Sequence, residues 1–192
     1  MREEEILEIF EEKGALLRGH FRLSSGLHSD IYIQCALVLQ YPHLSTKLCE
    51  ELGKRFKDKK IEVVIGPAIG GIIVSHEVAR YLSIRSLFAE RKEGVMQLRR
   101  GFHIEKGEKV LLVEDVITTG KSLQEVEDIV KESGGIITGV GCLVDRSGGK
   151  SPFGEEIISL LSLKVRNWEP SLCPLCKERV PITTPGSRFY SP

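Results

Sequence analysis

The sequence predicts an α/β domain in which a central parallel sheet is flanked by helices, with a small N-terminal hood and an irregular C-terminal tail. Length is the first ground: 192 residues is near the size of one such domain. The second is alternation, because from about residue 43 apolar strand-like runs take turns with amphipathic helical segments. That pattern implies right-handed crossovers and a sheet covered on both faces. The third is charge: Lys plus Arg number 27 and Asp plus Glu also 27. A neutral chain offers no general attraction for nucleic acid or an anionic membrane, so any anion it binds must be held locally.

Residues 1–42 form the expected hood. Ile6, Leu7, Ile9 and Phe10 share one helical stripe and Gly14 closes the segment, which predicts a helix over residues 3–13. FRLSSGLHSDIYIQ follows, two short strand-like runs about a Ser/Gly turn. Residues 43–166 form the expected core. A helix is predicted from Ser45 to Lys57, then strand EVVIGPA, helix IIVSHEVARYL, strand SLFAE, a long polar stretch, strand KVLLVED, helix SLQEVEDIVKES and strand IITGVGCLVD. Ligands in such sheets sit beyond the carboxyl ends of the strands, which directs attention to the residues after EVVI, VLLV and CLV. Residues 167–192, rich in Pro and Ser, are expected to wrap the surface as irregular chain.

The acidic, amphipathic start does not read as a secretory signal, and no stretch approaches the roughly 18 apolar residues of a bilayer span. Five cysteines, an odd number, argue against a disulfide framework. A cytoplasmic protein is expected. Cys35, Cys49 and Cys142 lie on apolar segments and read as core residues. Cys173 and Cys176 form a lone C-x-x-C, half of a zinc knuckle, without a second pair or a His-x-His downstream. Two inert thiols are the expectation there, with a zinc shared between subunits or a redox pair as alternatives. His20, His28, His43 and His76 show no ligand spacing and receive no role.

The chemistry concentrates in VLLVEDVITTGKS, residues 110–122: a buried strand, two adjacent carboxylates, and a Thr/Gly loop that opens a helix. Backbone N–H groups and hydroxyls at a helix N-terminus make an anion site, so Thr118, Thr119, Gly120, Lys121 and Ser122 can cradle one phosphate. Glu114 and Asp115 repel that phosphate but suit sugar hydroxyls, which donate to carboxylate oxygens, or a magnesium ion shared with the substrate. A phosphate cradle a few residues from a diol-binding pair fits a ribose 5-phosphate. A Ser/Thr/Gly cap after a strand is also a common structural device, and it is the acidic pair that tilts the balance. The Walker A loop shares Gly120, Lys121 and Ser122 but needs a glycine five positions before Gly120. Asp115 stands there, wrong in both size and charge.

This segment resembles the phosphoribosyl pyrophosphate signature of the type I phosphoribosyltransferases: four apolar residues, two acids, a short apolar/Thr run, Thr-Gly and a small residue. The resemblance implies that family's fold. It also implies that Glu114 and Asp115 hold the ribose hydroxyls while Val116, Ile117 and residues 118–122 surround the 5-phosphate. Phe21, Leu23, Ser25, Gly26 and Ser29 resemble the hood of the family's orotate branch, with Ser24 where many members have lysine. Ser25, Gly26 and Thr118 are then expected at the orotate. In LVDRSGG an arginine fork suits a planar carboxylate, and the resemblance places Arg146 on the orotate, though an ion pair with Asp145 would be a structural alternative. In GPAIGG, residues 66–71, glycines let backbone amides approach an anion. The resemblance makes Ala68, Ile69, Gly70 and Gly71 the pyrophosphate loop, with Gly70 where some relatives have lysine. A plain tight turn is the other reading.

The polar stretch ERKEGVMQLRRGFHIEKG, residues 90–107, is expected to be a long, mobile, basic lid. Arg91 and Lys92 resemble the family's pyrophosphate-binding Arg-Lys pair, and Arg99, Arg100 and His103 are candidates for the downstream basic residues, with Arg99 and Arg100 acting in catalysis. The family's lid reaches its neighbour's site, which implies a homodimer. The resemblance further implies phosphoribosyl pyrophosphate and orotate as substrates, magnesium bound through the sugar donor rather than by the protein, and neither nucleic acid nor membrane as partner. A purine phosphoribosyltransferase with the same donor site and a non-catalytic regulator of the same fold are the competing readings.

Overall fold

A computed structural model describes residues 1–23, 25–149 and 151–185. Ser24, and residues 186–192 of the expected irregular tail, lie outside the described residues. The chain opens with α1, Glu3–Glu12, which buries Ile6 and Phe10 and carries Glu3, Glu4 and Glu5 in its first turn, where acids favour the helix dipole. Strands β1, Leu16–Arg22, and β2, His28–Ile33, form an antiparallel hairpin. Leu23 and Leu27 close its turn through a 2.8 Å backbone bond, with Gly26 at φ 86°. A short helix α2, Ala36–Leu39, leads to α3, Pro42–Lys54. The start of α3 falls three residues ahead of the sequence expectation because Pro42 occupies the first turn, where a missing N–H forfeits nothing.

The core sheet is built from β3, Val63–Pro67; β4, Arg85–Lys92; β5, Val95–Leu98; β6, Lys109–Ile117; β7, Ile136–Asp145; and β8, Ile157–Ser162. Their order is β5-β4-β3-β6-β7-β8, parallel throughout except for β5. Helices α4, Gly70–Leu82, and α5, Lys121–Glu132, make the crossovers. Side chains alternate between two cores, as the period of a strand requires. Val64, Leu111 and Val113 face α1, α3 and α4, while Val63, Ile65, Val110 and Leu112 face Leu123, Val126 and Val130 of α5. Strands this apolar on both faces belong in the middle of a parallel sheet.

Two expectations are corrected. The stretch 90–107 is not a single mobile loop: β4 and β5 form a hairpin in which Arg91 faces Met96 and Lys92 faces Val95. Glu93 and Gly94 turn it with φ of 54° and 84°, the two left-handed residues a tight hairpin needs. Buried Met96 pins the hairpin to the core, a contact that the surrounding charges hide from a polarity reading. The tail is not irregular throughout either. Strand β9, Asn167–Trp168, pairs antiparallel with β2 and completes a three-stranded hood sheet. A 3₁₀ turn at Pro170–Leu172 and a helix α6, Pro174–Lys177, follow, and Thr183 exchanges backbone bonds with His20 and Arg22. Among the described residues no helix is long and apolar enough to cross a membrane.

Candidate active site

Strand β3 leaves through α4 toward β4 on one side, and β6 leaves through α5 toward β7 on the other. The two loops diverge between these neighbouring strands, and such a switch point opens a crevice at the carboxyl edge of the sheet. Loop 66–71 and segment 114–122 therefore meet, although 42 residues separate them in sequence.

How closely they meet is set by glycine. A methyl group on Gly70 would stand 2.4 Å from Asp115 Cγ and 2.4 Å from its Oδ2. One on Gly71 would be 2.9 Å from Pro67 Cδ and 3.3 Å from Glu114 Oε1. The acidic pair thus sits directly over the bare backbone of the turn. Ala68 and Ile69, joined by a cis peptide, stand exposed at its rim.

Glu114 and Asp115 lie at the end of β6, held by backbone donors. The Asp115 amide donates to Glu114 Oε1 at 3.3 Å, and the Val116 amide to Asp115 Oδ1 at 2.9 Å. Burial, with the Asp115 carboxylate second, pushes Glu114 up to about 9. Burial likewise raises Asp115. Two adjacent carboxyls in a desolvated site cannot both ionise freely, so the pair holds a proton until donors or a cation arrive. Ribose hydroxyls and a divalent cation are such partners, and an all-oxygen pair suits magnesium.

Glu114 and Val116 to Leu123 line an open cleft. Gly120 caps α5 at φ 75°, and a side chain there would strike Pro152 at 2.8 Å and Phe153 at 3.2 Å. The Thr119 hydroxyl accepts the Lys121 amide at 3.4 Å. Thr118, Thr119 and Lys121 are exposed to the cleft's mouth. Amides of a first helical turn have no intrahelical acceptor, so the cleft presents donors and positive dipole to an anion.

Arg146 follows β7, its amide tied to the Ile117 carbonyl at 2.8 Å, which docks it beside the β6 terminus. Among the described residues its Nε is buried without a partner, and so is Oδ1 of Asp30 on β2. Burial lowers the Arg146 pKa, and the Asp30 charge partly restores it, which places opposite charges in one desolvated space. The Asp145 carboxylate accepts the Ser147 amide at 2.7 Å. The ion pair considered as an alternative for Arg146 is therefore not what orients Asp145.

The phosphoribosyl transferase domain model matches residues 40–173. Orotate phosphoribosyltransferases from Pelotomaculum thermopropionicum and Caldicellulosiruptor bescii are 57% and 54% identical to the chain, each alignment covering 98% of it and 99% of the relative. The chain belongs to the orotate phosphoribosyltransferase family. Among solved structures, the orotate phosphoribosyltransferase of Aeropyrum pernix superposes with a TM-score of 0.70 at 28% identity, covering 83% of this chain and 94% of that one.

Within this orotate phosphoribosyltransferase fold, the structure brings together Glu114, Asp115, Val116 to Ser122, Ala68 to Gly71 and Arg146. Other candidate residues lie apart from the cleft's lining. Arg99 and Arg100 both pair with Glu90, at 3.2 and 2.8 Å. Arg91 pairs with Glu125 of α5 at 2.7 Å and donates to the Gly94 carbonyl. Lys92 is exposed on the hairpin, His103 pairs with Glu105, and Ser25 and Gly26 occupy the hood's tip. Asp30 was not among the residues singled out by the sequence. Its only signal there is an acid inside a strand of alternating burial, HSDIYI, where a solvated side chain would look the same.

Proposed function

We propose that this chain transfers the 5-phosphoribosyl group of phosphoribosyl pyrophosphate to orotate, giving orotidine 5'-phosphate and pyrophosphate, in the de novo synthesis of UMP. One observation carries the reading: a partly buried carboxylate pair wedged between a bare glycine turn and a helix-capped anion cradle at a sheet switch point.

In this reading the α5 N-terminus and the hydroxyls of Thr118, Thr119 and Ser122 take the 5-phosphate, and Glu114 and Asp115 accept hydrogen bonds from the ribose hydroxyls. The sugar is thereby fixed at both ends, which supplies most of the catalysis through orientation. The amides of Ala68 to Gly71 face the pyrophosphate, with Gly70 bare so that the leaving group and Asp115 can approach one another. The Arg146 guanidinium, whose Nε has no partner among the described residues, meets the orotate carboxylate, and Asp30 Oδ1 stands ready for a ring N–H. A purine offers no carboxylate to Arg146, which favours orotate over the purine alternative. Magnesium, carried in on the sugar donor and facing the acidic pair, would neutralise charge growing on the departing pyrophosphate. The chain acts as a cytoplasmic homodimer, its β4–β5 hairpin lending Arg99 and Arg100 to the neighbouring site as Glu90 releases them.

Incubating the protein with phosphoribosyl pyrophosphate, magnesium and orotate should consume orotate and release pyrophosphate. The Glu114→Gln/Asp115→Asn variant should lose on the order of 1,000-fold in kcat/KM. Turnover with adenine or hypoxanthine and none with orotate would reject the reading in favour of a purine enzyme. Tight donor binding without any turnover would favour a regulator.

A further inference from the structure

The hood and the tail, read separately as histidines without ligand spacing and a lone C-x-x-C, converge on one point. Strand β1 supplies His20, β2 supplies His28, and Cys173, which caps α6, and Cys176 within α6 supply the two thiols. One ligand atom from each lies within 4.8 Å of all the others. His20 Nε2 is 3.0 Å from His28 Nδ1, 3.5 Å from Cys173 Sγ and 3.7 Å from Cys176 Sγ, while Cys176 Sγ is 3.3 Å from His28 Nδ1. A tetrahedral zinc with bonds of about 2.3 Å to sulfur and about 2.0–2.1 Å to nitrogen has ligand-to-ligand edges of roughly 3.3–3.8 Å. The three nitrogen–sulfur distances fall within that range, and the nitrogen–nitrogen distance of 3.0 Å lies just below it.

We propose that His20 Nε2, His28 Nδ1, Cys173 Sγ and Cys176 Sγ bind one zinc ion, forming a structural site that fastens the tail to the hood. Two thiolates with two imidazoles in a compact tetrahedron select zinc among the common divalent metals. The surroundings are arranged for ligation as well. His20 Nδ1 lies 2.8 Å from the Val180 carbonyl, an acceptor, so that nitrogen carries the proton and Nε2 keeps its lone pair toward the cluster. His20, His28 and Cys173 are buried, and Cys176 lies at the surface, a route for the ion to enter. All four positions are protein side chains, so the site is closed and its role is structural rather than catalytic.

The consequence is local stiffening. His20 and His28 flank the turn closed by Leu23 and Leu27, so the ion would clamp the base of the loop that carries Ser25 and Gly26. Pairing of β9 with β2 and the Thr183 bonds to His20 and Arg22 bring the tail into position, and the metal locks it there. The inference stands apart from the proposed catalysis, since none of the four residues belongs to the cleft.

Untagged full-length protein, purified without chelators, should contain about one zinc per chain by elemental analysis. X-ray absorption should show two sulfurs at about 2.3 Å and two nitrogens at about 2.0–2.1 Å. Replacing zinc with Co2+ should give the visible spectrum of a tetrahedral thiolate site. Chelation should lower Tm by several degrees. The Cys176→Ala variant, which alters an exposed position, should bind zinc on the order of 100-fold more weakly, while His43→Ala, outside the cluster, should bind it normally. Protein that retains no zinc after incubation with it and gel filtration overturns the proposal. So does a bound metal without sulfur ligands, or Cys176→Ala protein with undiminished affinity. The wild-type spectroscopy decides the matter even should a variant fail to fold.

Discussion

Glu114 concentrates the conflict between stability and function in a single side chain. Its ordinary value of 4.5 rises to about 9 in the native protein, chiefly through burial. Between those limits the native state keeps a proton that the unfolded chain has released, so the stability linked to this group falls as pH rises from about 4.5 to about 9. Glu114→Gln should therefore stabilise the protein by on the order of 1–2 kcal/mol at pH 8 and by little at pH 5, as measured by denaturant unfolding at the two pH values. The same variant should lose activity. Equal destabilisation at both pH values would mean the carboxyl is ionised and satisfied in the free protein. Donor binding, by drawing the pair into its ionised form, should release protons near neutral pH, visible as a buffer-dependent binding enthalpy. The candidate role of this pair was legible in the sequence, since two acids and a Thr/Gly turn suffice to suggest it. The raised pKa was not, because it depends on burial supplied by residues distant in the chain.

At the scale of elements, the loop after β3 and the loop after β6 work as one device. Gly70 is needed because the Asp115 carboxylate occupies the space its side chain would fill. Gly70→Ala should displace that carboxylate and lower kcat/KM for the sugar donor on the order of 100-fold, the cost of a misplacement of about 1 Å. In an Asp115→Ala background the same substitution should add little, and a double-mutant cycle on kcat/KM measures the difference. Additive losses would show that Gly70 acts through something other than Asp115. The sequence marks GPAIGG as a glycine turn, but a tight turn and an anion loop read alike until the partner strand is placed beside it. The hairpin β4–β5 illustrates the opposite difficulty. Its charges dominate the composition of residues 90–107, and the single buried Met96 and the positive φ of Glu93 and Gly94 decide its structure.

For the whole molecule, the question is where Arg99 and Arg100 act. Within one chain both are held by Glu90, which they keep below the usual carboxylate range, Arg100 foremost. If the hairpin serves a neighbouring subunit, co-expressing Arg146→Ala chains with Arg99→Ala/Arg100→Ala chains should restore activity. Random pairing in a two-fold dimer leaves about one quarter of the sites intact. Steady-state turnover of the purified mixture reads this directly, and activity no greater than that of either parent would assign each hairpin to its own site.

The sequence by itself determined the alternation of strands and helices, the donor signature and the order of acids, hydroxyls and glycine along residues 114–122. These depend on period, on side-chain chemistry and on neighbours a few positions apart, all of which are written in order along the chain. Tertiary structure alone decided that Gly70 lies under Asp115, that Asp30 and Arg146 share a desolvated space, that β8 and β9 extend their sheets, and that His20 and His28 meet Cys173 and Cys176. Each of these joins segments far apart in sequence, and the register that joins them arises only when apolar faces are buried against one another.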